Sequence, residues 1–311
     1  VLLDAPGFFG TIDEGRAMVQ LMHDLAPGAD HLFFSAFFGQ AAFADGIRAL
    51  RDAGADIIVD DIIYFAEPMF QDGIIAQAVD EVTADGAVYF SSAGNSARQS
   101  WEGSFLVADT TIRTPRDGLP HDWDPGPGTD IWQEITVPVG DSITVVLQWD
   151  EPFASVSGPP GCQVDIDLLL TGSGASGQLI APATSLDANI GGDAVEILQF
   201  TNDGTFDEDG VPGPDTTFNL TVGLVSGNAP ERLKYVYFID GDVTINEYVT
   251  DSPTSYGHAN AAGAIAVGAA FYGSTPAFGV SPAQLEPFSS AGGIPIVFDA
   301  NGNRLAAPEL R

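Results

Sequence analysis

The sequence predicts an α/β fold, a parallel sheet with helices on both faces, interrupted by an inserted antiparallel β-sandwich. Three observations carry this expectation. Residues 1–102 alternate helical and strand-like runs. Residues 103–250 lose helical periodicity while Gly, Pro and Asp become dense. Residues 251–311 return to the first style. Strands separated by helices at this spacing point to a parallel sheet. Strand-like runs separated by turn-rich loops point to an antiparallel sandwich. The expected organisation is therefore a discontinuous α/β domain, 1–102 with 251–311, and a jelly-roll-like β-sandwich at 103–250. With 311 residues and 45% hydrophobic composition, the chain has material for one large core or two moderate ones.

Each element has its own signal. In residues 16–25 (RAMVQLMHDL), Ala17, Leu21 and Leu25 share one helical stripe, with Met18 and Met22 beside it, and Pro27-Gly28 ends the run. HLFFSAFF (31–38) reads as a buried strand, and FADGIRALRDAG (43–54) as a helix closed by Gly54. ADIIVDDIIYF (55–65) is a strand, DGIIAQAVDEVTADG (72–86) a helix, and AVYFSSAGN (87–95) a strand entering a small-residue turn. Within 103–250 the strand-like runs are 132–139, 142–149, 164–171, 194–201, 217–225 and 233–239. NAAGAIAVGAAFYG (260–273) is small and apolar, as a closely packed central strand would be.

Forty-three acids face ten bases, a net charge of −33, and Lys234 is the single lysine. Such a field repels phosphate, which argues against nucleic acid and anionic membrane surfaces as partners. No apolar run reaches the roughly 20 residues of a membrane-spanning helix. One cysteine, Cys162, allows no disulfide within the chain. The acidity has two readings: a solvated, salt-adapted surface, or calcium (Ca2+) binding. For calcium, Asp122, Asp124 and Asp130 lie in one turn-rich loop, and Asp203, Asp207, Glu208 and Asp209 in another. Calcium takes six to eight oxygens from such loops; a plain acidic loop is the alternative. The chain opens inside an apolar run and closes at Arg311 after a polar stretch, so it reads as an internal piece, with any localisation signal outside it.

An insertion after Asn95 implies an exposed loop at the carboxyl end of a strand, the edge where open α/β sheets place their sites. There the Asn95 amide is a neutral donor suited to a developing oxyanion, a role worth roughly 2.7–4 kcal/mol in acyl transfer. A turn residue that tolerates left-handed φ is the other reading. Asp13 and Glu14 open the first helix. Glu14 is either a base with a pKa raised by burial or by Asp13, or an acid meeting the helix dipole. His258 either lines the cleft or packs; His23 reads as a surface or packing residue, and His31, at the start of a strand, as structural. No serine sits on a Gly-x-Ser-x-Gly elbow or a Gly-Thr-Ser helix start, and no phosphate loop, dinucleotide fingerprint or HExxH motif is present.

The run GADIIVDDIIYF, a helix, then AVYFSSAGN resembles the middle of a subtilisin-like serine peptidase. GHANAAGAIAVGAA (257–270) and PFSSAG (287–292) are similar to later motifs of that family, in the same order. The resemblance covers roughly 11–101 and 252–292. It implies a secreted or cell-surface serine endopeptidase acting on polypeptides, with Asn95 completing the oxyanion hole. Asp61 matches a substrate-binding Ser position. Glu14 falls in the slot of the family histidine, similar to sedolisins, although Met18 stands where those place an Asp, and Asn95 where they also place one. The resemblance puts the nucleophilic serine and the first-strand aspartate outside these residues. The segments ITVVLQWDEPF (143–153), VDIDLLLT, EILQFTN and FNLTVGLV resemble the pre-peptidase C-terminal domains of secreted bacterial peptidases. The rival expectation is a non-catalytic scaffold that displays a β-sandwich for adhesion or carbohydrate binding.

Overall fold

The computed structural model describes residues 1–5, 7, 12–172, 183–207 and 213–311. Its helices are α1 (Glu14–Leu25), α2 (Gln40–Asp52), α3 (Ile74–Ala84) and α4 (Ala154–Ser157). Its strands are β1 (Ile57–Asp60), β2 (Val88–Ser92), β3 (Ser100–Gly103), β4 (Leu119–Pro120), β5 (Gln133–Thr136), β6 (Ser142–Trp149), β7 (Asp165–Gly172), β8 (Ala183–Ser185), β9 (Val195–Thr201), β10 (Thr217–Ser226), β11 (Leu233–Asp240), β12 (Thr244–Ile245), β13 (Ala264–Val267), β14 (Ile296–Phe298) and β15 (Arg304–Glu309). The fold is mixed α/β, with one parallel sheet and several antiparallel ones. No described helix is long and apolar enough to cross a membrane.

The chain divides into two compact units. One comprises Val1–Asn95, Ser255–Ile296 and Glu309–Arg311; the other Ser96–Thr254 and Val297–Pro308. The second unit starts before residue 103 because β3 pairs with β11. It takes in part of the last hairpin because Arg304 donates to the Asp150 backbone carbonyl and carboxylate at 2.7 and 2.8 Å.

In the first unit a parallel sheet runs in the order β1-β2-β13. On α2, Phe43, Ala44 and Ile47 fall on one helical face and meet the buried face of α3 (Ile75, Ala78, Val79, Val82). Ile58 and Tyr89 from the strands complete this core. Period-2 alternation puts Ile57, Val59, Val88, Ile265 and Val267 on the opposite face, where all five are exposed. Helices on both faces were expected; among the described residues helices pack over one. The α1 stripe is also open, with Leu21 and Leu25 exposed and no buried residue on that helix.

Residues 31–38 do not form the expected buried strand. Phe34 makes only an isolated parallel bridge to Leu3, and Ala36–Phe38 turn into a 3-10 helix. The rings find other surfaces: Phe33 lies over Gly15 of α1 and Phe34 over Gly46 of α2, where an added Cβ would collide with each ring. Packing of aromatic side chains on glycine gaps in helices replaces the ladder.

The second unit holds two antiparallel sheets. One runs β12-β5-β10-β7-β8 with β4 also on β10; the other runs β3-β11-β6-β9. Alternate residues of β6 (Ile143, Val145, Leu147), β7 (Ile166, Leu168, Leu170) and β10 (Phe218, Leu220, Val222) are buried in one shared apolar cluster. Burial of each such side chain contributes roughly 1.5–3 kcal/mol. Charges are buried here as well. Arg116 reaches Asp165 and, at 2.7 Å, Asp167. Lys234 lies 3.4 Å from Glu102, and burial pulls its pKa down to about 8 despite that carboxylate.

Candidate active site

The carboxyl ends of β1, β2 and β13 bring together the segments singled out in the sequence. The Ala93 N–H donates to the Val267 carbonyl at 2.9 Å, so the turn after β2 stays tied to the end of β13. Gly94 has φ +95, and a Cβ there would lie 2.9 Å from Ser290 Oγ; both facts call for glycine. The Gly94 carbonyl accepts from the Ser290 N–H at 2.9 Å, while Ser289 Oγ accepts from the Ala269 N–H at 2.9 Å. SAGN and PFSSAG therefore lie against each other, and Asn95 follows as an exposed residue. Beside them a cleft of about 640 Å³ is lined by Ala93, Asn260, Ala266, Gly268, Leu285 and Arg311.

Beneath this edge is a buried polar cluster. Asp60 ends β1 on the same face as Ile58. Ser91 Oγ on β2 donates to Asp60 Oδ1 at 2.8 Å. His258, in the turn before β13, is only 2% exposed. Its Nδ1 lies 2.7 Å from Glu67 Oε1 and its Nε2 3.2 Å from Asp60 Oδ1. The His258 backbone N–H donates to Glu67 Oε2 at 2.8 Å. Gly257 has φ +67, and a Cβ there would come 2.7 Å from Glu67 Oε2, so glycine lets the carboxylate sit under the turn. Burial acts to lower the His258 pKa, but the charges of Glu67 and Asp60 and the hydrogen bonds to them outweigh it and lift it from 6.5 to about 10.

The other residues singled out in the sequence are dispersed. Glu14 is exposed in the first turn of α1, where Asp13 pairs with Arg16 at 3.2 Å. Asp61 is exposed just past β1. Asp122, Asp124 and Asp130 do share a loop, but their oxygens hold that loop together. Asp122 Oδ1 accepts from the N–H groups of Asp124 and Asp130, at 3.2 and 2.9 Å. Asp124 Oδ1 accepts from Gly126 N–H at 2.7 Å, and Asp130 Oδ2 from the Tyr248 hydroxyl at 2.8 Å. Asp207 is exposed, and Asp209 lies outside the described residues. No three His, Cys, Asp or Glu side chains converge on a cation position among the described residues. His121 packs against Trp101 and Trp123, with burial lowering its pKa to about 4.

Asp60, Glu67 and Ser91 were not singled out in the sequence. A signal for Asp60 was present: in IIVDD, alternation forces one of the two aspartates onto the face of Ile58. Glu67 likewise stands between apolar neighbours, Ala66 and Pro68-Met69-Phe70. No protein-family model matches the chain, and no curated protein matches it.

Proposed function

We propose that the chain is the central part of a secreted, subtilisin-like serine endopeptidase carrying an inserted β-sandwich. In this reading a peptide bond is cleaved through an acyl-enzyme on a serine outside these residues. The observation that carries the reading is the strand-end turn. Asn95 follows a glycine with positive φ at the carboxyl edge of a parallel sheet, two residues past Ala93, which lines a cleft, so a neutral N–H donor stands near where an oxyanion would form. Asp61, exposed just past edge strand β1, sits where an extended polypeptide could pair with the sheet. The exposed apolar face of Ile57, Val59, Val88, Ile265 and Val267 also supports further polypeptide over this sheet, since parallel sheets bury both faces.

The decisive experiment uses a longer polypeptide that includes the proposed serine. Asn95→Ala should lower kcat about 10²–10³-fold there; an unchanged kcat removes Asn95 from the oxyanion role. The 311-residue chain alone should resist labelling by a fluorophosphonate probe. A second reading, a non-catalytic scaffold displaying the β-sandwich, draws on the serines at the edge. Ser91 donates to a carboxylate, and Ser289 is engaged by the Ala269 backbone. Absence of hydrolysis and of labelling in the longer polypeptide would favour it.

A further inference from the structure

The two ring nitrogens of His258 each face a carboxylate oxygen. An ionised carboxylate only accepts hydrogen bonds, and a neutral imidazole carries a single N–H. Both contacts are therefore satisfied together only by the imidazolium. Three separate chain segments meet at this ring: the end of β1 through Asp60, the connection to α3 through Glu67, and the turn before β13 through His258 itself. The end of β2 joins them through Ser91, whose hydroxyl donates to the same Asp60 oxygen that faces His258 Nε2.

We propose that Asp60, Glu67 and His258 form a buried ionic clamp that positions the Gly94–Asn95 turn. They are positioning residues for Asn95, not catalytic ones. The oxyanion role of Asn95 rests on the peptidase reading; the clamp itself does not. Removal of the proton would leave two buried carboxylates facing a ring that donates to only one of them, and unpaired buried charge is strongly destabilising. The ends of β1 and the 64–67 segment would move apart. Ser91 would follow Asp60, and the Gly94–Asn95 turn, three residues further along the chain, would shift with it. The other groups facing the clamp are Tyr64, Tyr89 and Tyr256, with the Phe43 ring of α2 5.7 Å from the imidazole. Burial, with the nearby carboxylates, raises all three phenols above their usual value, so they stay neutral while His258 titrates.

The test is an NMR titration of the isotope-labelled 311-residue chain from about pH 5 to about pH 11. The His258 ring nitrogens should show the imidazolium pattern through neutral pH, with a midpoint near 10. The Gly94 backbone amide and the Asn95 side-chain amide should shift with the same midpoint. Ser91→Ala should leave the His258 midpoint in place but flatten the response of the Asn95 signal. Glu67→Gln should lower the midpoint by about one pH unit or more. A His258 midpoint at or below about 6.5 overturns the clamp. So does a Gly94–Asn95 turn that ignores the His258 titration; the wild-type titration alone yields both results if a variant fails to fold. No substrate is involved, so a chain without peptidase activity leaves this proposal standing.

Discussion

In the second unit both antiparallel sheets send alternate side chains into one core, whereas the parallel sheet of the first unit has helices over one face and exposes Ile57, Val59, Val88, Ile265 and Val267 on the other. Buried charge differs too. In the second unit Lys234 is buried on β11 beside Glu102, and Arg116, from the 115–117 turn and partly open to water, caps the buried Asp165 and Asp167 of β7. Among the described residues, the first unit concentrates its buried charge at one place, the His258 cluster under the carboxyl edge. The comparison separates a unit that pairs its buried carboxylates with cations at separate places from one that gathers its buried polar groups under the carboxyl edge of its parallel sheet.

The largest expected effect breaks the core. Phe218 is fully buried and meets Phe200 with ring centres 4.9 Å apart. Phe218→Ala should destabilise the second unit by about 3–5 kcal/mol in urea unfolding. Leu21→Ala on the open α1 stripe should change stability by no more than about 0.5 kcal/mol, although the sequence puts Leu21 on an apolar stripe. A large effect at Leu21 would mean that α1 is covered in solution. Arg116→Ala leaves Asp165 and Asp167 buried without their cation. Its effect should fall at or below the lower end of roughly 3–5 kcal/mol, because Arg116 itself keeps partial contact with water.

The strands of the second unit were legible because their alternation is strong. SITVVLQW, VDIDLLLT and TFNLTVGLV coincide with β6, β7 and β10 to within a residue or so. β3 was missed: SWEG is four residues long and owes its strand conformation to β11 beside it. HLFFSAFF was misread because aromatic density does not say where the rings go: Phe33 and Phe34 pack on helix glycines, while Phe37 and Phe38 stay exposed. The acidic loop 122–130 was recognisable as a cluster, but spacing could not show that its oxygens close their own backbone turns. His258 was visible as a candidate, whereas its partners lie 191 and 198 residues away and depend on tertiary structure.

The pH response should separate the units further. In the second unit, burial raises Asp167 to about 6, with Arg116 opposing, and raises Glu196 to about 7, with the Ser185 and Asn189 hydrogen bonds opposing. The folded state then binds more protons than the unfolded one from about pH 4 to about pH 7, so these groups make stability fall as pH rises through that window. His258 acts in another window. Its contribution to the first unit is complete below about 6.5 and is lost as pH rises through about 10. Urea midpoints followed by Trp fluorescence report the second unit, which holds all four tryptophans at 101, 123, 132 and 149. A midpoint that rises steadily from pH 4 to 7 would contradict the assignment to Asp167 and Glu196.

The smallest effect concerns salt. With a net charge of −33, the folded chain repels itself, and counterions screen exposed charges beyond about 8–10 Å at moderate ionic strength. Sodium chloride should therefore raise the unfolding midpoint gradually. Calcium should do no more than magnesium at matched ionic strength, because Asp122 and Asp124 each commit an oxygen to backbone N–H groups of their own loop and Asp130 commits its oxygens to the Trp132 N–H and the Tyr248 hydroxyl. A gain specific to calcium would establish a site after all, and Asp122→Asn would then locate it. Loss of the gain in that variant would assign the site to the Asp122 carboxylate. A gain that survives Asp122→Asn would assign it to another acidic loop and leave the turn at 122–130 closed by its own hydrogen bonds.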